Sequence, residues 1–163
     1  MRGGVTGWVL WDALLSMLVL GSALLGLLLS AVQALQEQRD SRAWAQAVHL
    51  ADDLIARMAI NREGLPDYLL ALGDTPAPVD CASTACDATQ WAHADLATWV
   101  RRVQQELPQG EAQILGTPTD ARQRLVWLSW SATSPAPWLP AALGAQVPAC
   151  PEARRCHALW VLP

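Results

Sequence analysis

Residues 8–34, WVLWDALLSMLVLGSALLGLLLSAVQA, decide the fold of this 163-residue chain. They are largely apolar and contain one charged residue, Asp12, and the 24 residues between Asp12 and Glu37 carry no formal charge. As an α-helix, 24 residues rise about 36 Å, which exceeds the roughly 30 Å hydrocarbon core of a bilayer. The stretch therefore predicts a helix that can span a membrane.

A short polar segment precedes this helix. Residues 1–7 carry one positive charge, Arg2, and end in a glycine. The apolar run is too long for a secretory signal peptide, and it lacks the small-x-small cleavage site. A location of Arg2 on the cytoplasmic side of the membrane agrees with the positive-inside tendency. We therefore expect the large C-terminal part of the chain to be translocated across the membrane. A carboxylate at the centre of a bilayer costs on the order of 3 kcal/mol, so Asp12 is expected to have a partner.

The run Gly7-Trp8-Val9-Leu10-Trp11-Asp12 resembles the class III signal of type IV prepilins, which has a glycine, an aromatic residue, a few apolar residues and an acid. Trp8 and Asp12 stand where that family usually has phenylalanine and glutamate. The resemblance implies that a prepilin peptidase cleaves after Gly7 and N-methylates Trp8. Asp12 would then lie one turn from a new ammonium group, and such a pair between neighbouring subunits would set their axial register in a filament. The alternative is an uncleaved signal anchor with a tolerated acid near the membrane face.

The helix is predicted to continue beyond the membrane to Arg62. Residues 33–61 contain no Gly or Pro and are rich in helix-forming residues, and a polar collar at residues 36–42 would mark the membrane exit. Beyond the collar, apolar residues recur at helical spacing and indicate one buried face: Ala43, Ala47, Leu50, Leu54 and Met58, widened by Trp44, Val48, Ala51 and Ile55. Gly64 and Pro66 provide the stop signal.

The second half of this helix resembles a narrower group. Type IV pilus modification proteins, the PilV-type minor pilins, share the pattern LA-x-DL-x-ERM-x-AN…Y. This chain is similar to it in Leu50-Ala51-Asp52-Asp53-Leu54-Ile55-Ala56-Arg57-Met58, followed by Asn61 and Tyr68. The similarity continues, within residues 7–110, through Asp80-Cys81, Cys86, Ala94-Asp95-Leu96, Trp99 and Leu107-Pro108-Gln109-Gly110. It implies a low-abundance subunit that is inserted into, or caps, a type IV pilus.

The part after residue 62 is predicted to contain one further helix. Residues 63–88 hold three prolines and the first cysteine pair, which indicates an irregular connection. Asp87 and Gln90 form a capping pair for a helix over residues 89–106. Its predicted buried stripe is Ala92, Leu96, Trp99, Val100, Val103 and Leu107, with Arg101, Arg102 and Glu106 facing water.

After Gly110 the spacing at which apolar residues recur changes from the helical period of 3.6 residues to the strand period of 2. Residues 111–116 and 124–131 are predicted strands joined by a turn at 117–120, and residues 131–151, with five prolines, form a long loop. A last strand is predicted at 156–162, with Ala158, Trp160 and Leu162 on one face. We expect an α+β, type IV pilin-like fold: a long N-terminal spine helix, one shorter helix and a small antiparallel sheet of three or four strands.

The resemblance and the predicted elements together imply three domains. Residues 1–7 would be the prepilin leader, residues 8–35 the transmembrane or filament-core half of the spine helix, and residues 36–163 a periplasmic head that includes the other half.

Four cysteines form two close pairs, Cys81 with Cys86 and Cys150 with Cys156, and allow three connectivities. Local pairing is the simplest because both segments are loop-like, and each disulfide would contribute roughly 2 kcal/mol by closing a small ring. A zinc site is the competing interpretation. The spacings are not CxxC and an export signal precedes them, which favours disulfides in an oxidising compartment.

The composition argues against several other functions. The net charge of −4 without a basic patch argues against nucleic acid, and no phosphate loop, dinucleotide glycine pattern or HExxH motif occurs. We therefore predict neither an enzyme nor a cofactor. Asp52 and Asp53 are two acids on a helix flank, with a metal site as the alternative, and Trp138 is a candidate contact for a partner subunit. The histidines fall singly on predicted elements and are expected to be structural or solvated: His49, His93 and His157.

Two classes of function remain. The resemblance implies a minor pilin that acts in pilus assembly and initiation, and so in adhesion or motility. Its partners would be other pilins and minor pilins, the prepilin peptidase, the inner-membrane assembly platform and membrane lipid. Its location would be the bacterial inner membrane, with a single pass and the C-terminal head in the periplasm, and then the pilus. A type II secretion pseudopilin is the close alternative. The second class is an uncleaved, membrane-anchored periplasmic scaffold or sensor module.

Overall fold

The computed structural model describes residues 6–117, 120–132 and 147–163, with side chains from Trp11 onward. Its helices are α1 (Thr6–Ile60) and α2 (Ala88–Glu106), with a 3-10 turn at Leu65–Asp67 between them. Its strands are β1 (Glu111–Gly116), β2 (Arg124–Ser131) and β3 (Arg154–Val161). The predicted α+β architecture of one long helix, one shorter helix and a three-stranded antiparallel sheet is confirmed. Most of the predicted long loop, residues 133–146, lies outside the described residues.

The chain divides into two compact units, Met1–Arg39 and Asp40–Pro163. The described part of the first unit is helical throughout. The second unit contains the rest of α1, the 3-10 turn, α2 and the sheet, and its core is continuous across these elements. The finer division into leader, filament-core helix and head stays a prediction.

The predicted buried face of α1 is buried in the second unit: Ala43, Ala47, Leu50, Leu54 and Met58. The helix ends at Ile60, two residues before the predicted end. The helix ends there because the Asn61 side chain makes hydrogen bonds outside the helix. Its Nδ2 donates to the carbonyl oxygen of Ala88 (2.8 Å), and its Oδ1 accepts from the Gly64 N–H (3.3 Å). Asn61 therefore joins the end of α1 to the beginning of α2.

This junction requires glycine at position 64, because there is no room for a side chain. A Cβ at Gly64 would collide with the carbonyl oxygen of Ala88 and the side chain of Asn61. The backbone passes so close to α2 that only glycine fits.

The second helix begins with the predicted capping box. The Asp87 carboxylate accepts from the Gln90 N–H (2.8 Å), and the Gln90 side chain accepts from the Asp87 N–H (3.0 Å). The helix starts at Ala88, one residue before the prediction, and all six residues of its predicted stripe are buried: Ala92, Leu96, Trp99, Val100, Val103 and Leu107.

The strands pair in the order β1-β2-β3, with Ile114 opposite Val126 and Leu125 opposite Trp160. The bounds of β1 and β2 are those predicted, from weak alternation in residues 111–116 and from the Leu, Val and Trp content of residues 124–131. The central strand β2 is buried from Arg124 to Trp130 because both of its faces are covered. On the outer side of β1, Leu70 and Ile114 exchange two main-chain hydrogen bonds of 3.1 and 2.9 Å.

The third strand differs from the prediction. It begins at Arg154, before Cys156, and ends at Val161, so Leu162 lies beyond the strand with its side chain 64% exposed. Leu162 was therefore wrongly assigned to the face of Ala158 and Trp160. Those two side chains do share a face, packing on a small second core that includes Trp127 and Cys156.

Candidate functional site

The first unit presents apolar side chains around the helix. Within the described residues, α1 is the one helix long and apolar enough to cross a membrane, by length and composition, and none of its most apolar window is buried. The exposed large side chains of this unit are Trp11, Leu14, Leu15, Met17, Leu18, Val19, Leu20, Leu24, Leu25, Leu27, Leu28, Leu29, Val32 and Leu35. An exposed apolar surface of this extent is unfavourable in water and needs lipid or protein to cover it.

The serines in this unit do not make its surface polar. The hydroxyl of Ser16 donates to the Asp12 carbonyl oxygen (2.8 Å), and that of Ser30 donates to the Gly26 carbonyl oxygen (3.0 Å). Because the helix backbone satisfies these hydroxyl groups, they can face an apolar medium at low cost. At Gly21 and Gly26 an added Cβ would meet nothing within 4 Å, which leaves room for close packing of a neighbouring helix.

Asp12 is the one acid within this apolar surface between Trp11 and Leu35, and its residue is exposed. Gly7 and Trp8 have helical backbone in the first turns of α1. Cleavage after Gly7, methylation of Trp8 and pairing of Asp12 with a neighbouring amine stay predictions.

In the second unit, a network of charged side chains joins α1 to α2. Arg57 donates from Nε to Asp53 (3.0 Å) on its own helix and from Nη1 to Asp95 (2.8 Å) on α2. The Tyr68 hydroxyl donates to the other oxygen of Asp95 (2.6 Å). Sequence spacing predicts only the first of these contacts, because Asp53 and Arg57 are four residues apart on one helix.

The network changes the proton affinity of two of its members. Burial disfavours the charge of Arg57, but hydrogen bonds to Asp95 and Asp53 outweigh it and raise the pKa of Arg57. Burial and the hydrogen bond to Asp95 both raise the pKa of Tyr68. The network is therefore formed from charged Arg57 and neutral Tyr68 over the whole neutral range.

Arg102 and Glu106 belong to the same network, which corrects the prediction that they face water. Arg102 donates from Nη1 to Asp53 (3.1 Å) and from Nε to Glu106 (2.9 Å), and both residues are half-buried. The prediction failed because the water-facing side of α2 was inferred from α2 alone, whereas Asp53 on α1 lies beside it. Arg101 is exposed as predicted.

A metal site at Asp52 and Asp53 has no support. Asp53 is bound by two guanidinium groups, and the described residues contain no group of three or more His, Cys, Asp or Glu side chains placed to hold a metal ion. All four cysteines are bonded, in the local pairs Cys81–Cys86 and Cys150–Cys156, which leaves no free thiol for zinc.

Asp80 organises the loop that the first disulfide closes. Its carboxylate accepts from the N–H groups of Ala82 (3.0 Å) and Ser83 (3.3 Å) and from the Ser83 hydroxyl (2.7 Å). These hydrogen bonds, led by that of the Ser83 hydroxyl, lower the pKa of Asp80. The loop is thus an Asx-type turn held by a charged acceptor.

The three histidines occupy different environments. His157 lies edge-on to Trp44 (5.1 Å between ring centroids), which also contacts Trp130 (5.8 Å) and so packs α1 on the sheet. Burial lowers the pKa of His157, partly opposed by the charge of Asp52. His49 and His93 are exposed, and Trp138 lies outside the described residues.

Residues 27–97 match the family model described as Tt1218-like, type IV pilin Tt1218. The match begins in the apolar helix and includes Asp53, Arg57, Tyr68 and Asp95 of the network. This match supports a type IV pilin superfamily member. No curated protein and no solved structure matches it. The pilin family is structural and not catalytic, and its members assemble with other pilin subunits. The exposed apolar helix of this chain fits membrane anchoring and a pilus.

Two charged residues in the described part of the chain are buried, which the sequence reasoning missed. Asp40, in the predicted polar collar, is 8% exposed. Arg124 is 4% exposed, and it donates from Nη2 to the Leu65 carbonyl oxygen and from Nη1 to the Ala121 carbonyl oxygen, both at 2.7 Å. Burial lowers its pKa. Its position at the first residue of a strand gave no indication of burial, and no sequence signal identified main-chain carbonyl groups as its partners.

Proposed function

We propose that this pilin is a minor subunit of a type IV pilus that acts in pilus assembly and initiation, and through it in adhesion or motility. The observation that carries the proposal is an exposed apolar helix joined in sequence to a head built around the Arg57–Asp95–Tyr68 contacts. Those three residues belong to the segment that resembles PilV-type minor pilins. A pilin-type structural subunit needs both parts, a helix for the filament core and a folded head.

Processing is the first step of the proposed function. The prepilin peptidase cleaves after Gly7 and N-methylates Trp8, and the inner-membrane assembly platform then moves the subunit from lipid into the filament. The apolar side chains of residues 11–35 suit both surroundings, because lipid tails and helices of other pilins are equally apolar.

Asp12 then sets the axial position of the subunit relative to its neighbours in the filament. A carboxylate in this apolar surface is costly to desolvate alone, and a neighbouring ammonium group lowers that cost. The attraction between the two charges is strong at low dielectric and falls off with distance, so one axial position of the subunit is favoured over others.

The head is proposed to lie in the periplasm before assembly. Both disulfides suit an oxidising compartment, and they close the segments around Asp80 and around the start of β3.

Mass spectrometry of the N-terminus tests the processing step, using protein from a native membrane fraction. We expect a mature chain that begins with methylated Trp8. An intact leader, or a cut at another residue, would reject the pilin assignment of the leader and favour an uncleaved envelope module.

Quantitative mass spectrometry of sheared pili tests the minor role. We expect this chain in the filaments at a small fraction of the major pilin. Its presence as the most abundant subunit, or its restriction to a secretion-system pseudopilus, would contradict the proposal.

A further inference from the structure

We infer that Ser16 is a second ligand, beside Asp12, for the terminal ammonium group of a neighbouring pilin subunit; this inference rests on the proposed function. Asp12 and Ser16 are four residues apart in α1, so their side chains lie one turn apart on the same face of the helix. Both residues are exposed. Together they place one carboxylate and one hydroxyl group in an otherwise apolar surface.

The hydroxyl group of Ser16 is held as a hydrogen-bond acceptor. Its hydrogen is used within the helix, because Oγ donates to the main-chain carbonyl oxygen of Asp12 at 2.8 Å. A hydroxyl group has one hydrogen and two acceptor lone pairs, so the Ser16 oxygen can still accept a hydrogen bond from outside the helix. The bond uses the main-chain oxygen of Asp12, and the Asp12 carboxylate keeps its own acceptor capacity.

The site carries one negative charge that its own segment does not compensate. Residues 8–34 contain no Lys, Arg or His. The first cation after Asp12 is Arg39, 27 residues further on, which is about 40 Å along a helix. A carboxylate in apolar surroundings is costly without a cation beside it, so the ligand that fits this site is a cation brought by another molecule.

A methylated terminal amine matches the number of acceptors. The N-methylated terminus of the proposed mature pilin is a secondary ammonium with two N–H groups, one for the Asp12 carboxylate and one for the Ser16 oxygen. An unmethylated ammonium has a third N–H group, which would be left without an acceptor at low dielectric. Its methyl group suits the apolar side chains around the site.

The position of Ser16 selects the amine of a neighbour over that of the same chain. Trp8 and Asp12 are one turn apart, so the chain's own amine could reach Asp12. Trp8 and Ser16 are eight residues apart, about 12 Å along the helix, whereas a hydrogen bond spans about 3 Å. An amine that contacts both side chains therefore approaches from beside the helix, and its subunit is offset along the axis by about 6–12 Å.

Ser30 supplies a matched control within the same helix. Its hydroxyl donates to the carbonyl oxygen four residues earlier, that of Gly26, at 3.0 Å, and Ser30 is also exposed. Because Gly26 has no side chain, this serine has no carboxylate one turn before it. A substitution at Ser30 reports the loss of a hydroxyl group and of its hydrogen bond to the backbone, without the ammonium site.

Threonine and valine test the Ser16 oxygen in the full-length chain, in cells that assemble pili. The two side chains have nearly the same shape, and only threonine has a hydroxyl group. We expect the ratio of this chain in sheared filaments to that in the membrane to be about tenfold lower for Ser16→Val than for Ser16→Thr. A change of this size is expected for one lost hydrogen bond to a charged group. Ser30→Val and Ser30→Thr should give equal ratios.

Photo-crosslinking identifies the molecule that brings the ammonium group. Benzoylphenylalanine replaces Val19, which lies three residues after Ser16 on the same face and is 63% exposed. The control is the same replacement at Leu14, which is 62% exposed on the opposite face from Asp12. We expect a crosslink from position 19 to the N-terminal peptide of a pilin subunit in sheared filaments, and none to that peptide from position 14.

The outcomes separate this inference from the proposed function. If the unmodified chain is absent from filaments, the proposed function fails and the inference fails with it. If the chain is present but Ser16→Val and Ser16→Thr incorporate equally, or Ser30→Val shows the same loss as Ser16→Val, the role of Ser16 alone is overturned. A crosslink from position 19 to phospholipid only would assign the cation to a lipid headgroup and overturn the contact between subunits.

Discussion

The indole N–H of Trp99 donates to the main-chain carbonyl oxygen of Leu50 across 2.7 Å, and both residues are fully buried. This contact joins the middle of α2 to the buried face of α1. A buried indole N–H without a partner is costly, so the hydrogen bond sets the distance between the two helices as well as filling the core.

Trp99→Phe removes this hydrogen bond and part of the ring while keeping an aromatic residue in the core. We expect the free energy of unfolding to fall by about 2–4 kcal/mol, from the lost hydrogen bond and the cavity left by the smaller ring. Chemical denaturation of the full chain in detergent micelles, followed by circular dichroism, measures this change. Trp91→Phe is the control, because Trp91 is half-exposed; equal stability of the two variants would contradict the importance assigned to Trp99.

Tyr68 is the only tyrosine in the chain, so its titration can be observed directly by ultraviolet absorbance. Burial and the hydrogen bond to Asp95 raise its pKa, so we expect it to remain neutral near pH 10, where an unfolded tyrosine ionises. The raised pKa stabilises the fold below pH 10, and this contribution is lost as the pH rises through the folded pKa. In Asp95→Asn the pKa of Tyr68 should move towards the unfolded value. Ionisation of Tyr68 near pH 10 in the unmodified folded chain would refute the contact.

Gly64→Ala places a methyl group against the carbonyl oxygen of Ala88, where α1 ends beside α2. We expect a loss of about 1–3 kcal/mol in the free energy of unfolding, because the displaced atom belongs to a helix backbone and cannot move alone. Gly116→Ala is the matched control, since a Cβ there meets its nearest atom at 3.6 Å, an ordinary contact. Similar denaturation midpoints for the two variants would show that the junction is not tight.

The buried environment of His157 predicts that the free energy of unfolding falls in acid. Burial lowers its pKa below the ordinary value of 6.5, so the folded state holds the neutral form and the unfolded chain takes up the proton more readily. The stability that this provides is present above pH 6.5 and is lost as the pH falls through that value towards the folded pKa. We expect His157→Gln to reduce the change in denaturation midpoint between about pH 7.5 and about pH 5.5, while His93→Gln, at an exposed site, does not. An unaltered pH dependence in His157→Gln would remove this explanation.

Asp12→Ala tests the register pair of the proposed function. We expect normal insertion into the membrane, since the change removes a charge from an apolar helix, and loss of this chain from sheared filaments, since the pairing group is gone. Asp12→Glu retains the carboxylate and should retain incorporation, because glutamate is the usual residue of the family that this segment resembles. Immunoblots of membrane and sheared fractions measure both quantities, and unchanged incorporation of Asp12→Ala would contradict the pairing.

Local patterns in the sequence determined most of the elements. The uncharged run after Asp12 predicts the apolar half of α1, and the Asp87–Gln90 pair predicts where α2 begins. The Leu, Val and Trp content of residues 124–131 predicts the central strand. Each signal depends on residues within one or two turns or one strand, so a single sequence carries it completely.

Only the tertiary structure decided which side chains meet across these elements. Arg57 and Asp95 are 38 residues apart, and Tyr68 and Asp95 are 27 apart, so no helical or strand period relates them. The same reason explains why Arg102 contacts Asp53, and why α1 stops at Ile60, where the Asn61 side chain reaches the beginning of α2. The apolar stripes bring the two helices together, but the partners of their polar side chains depend on the angle and offset at which the helices pack, which the period of a stripe does not specify.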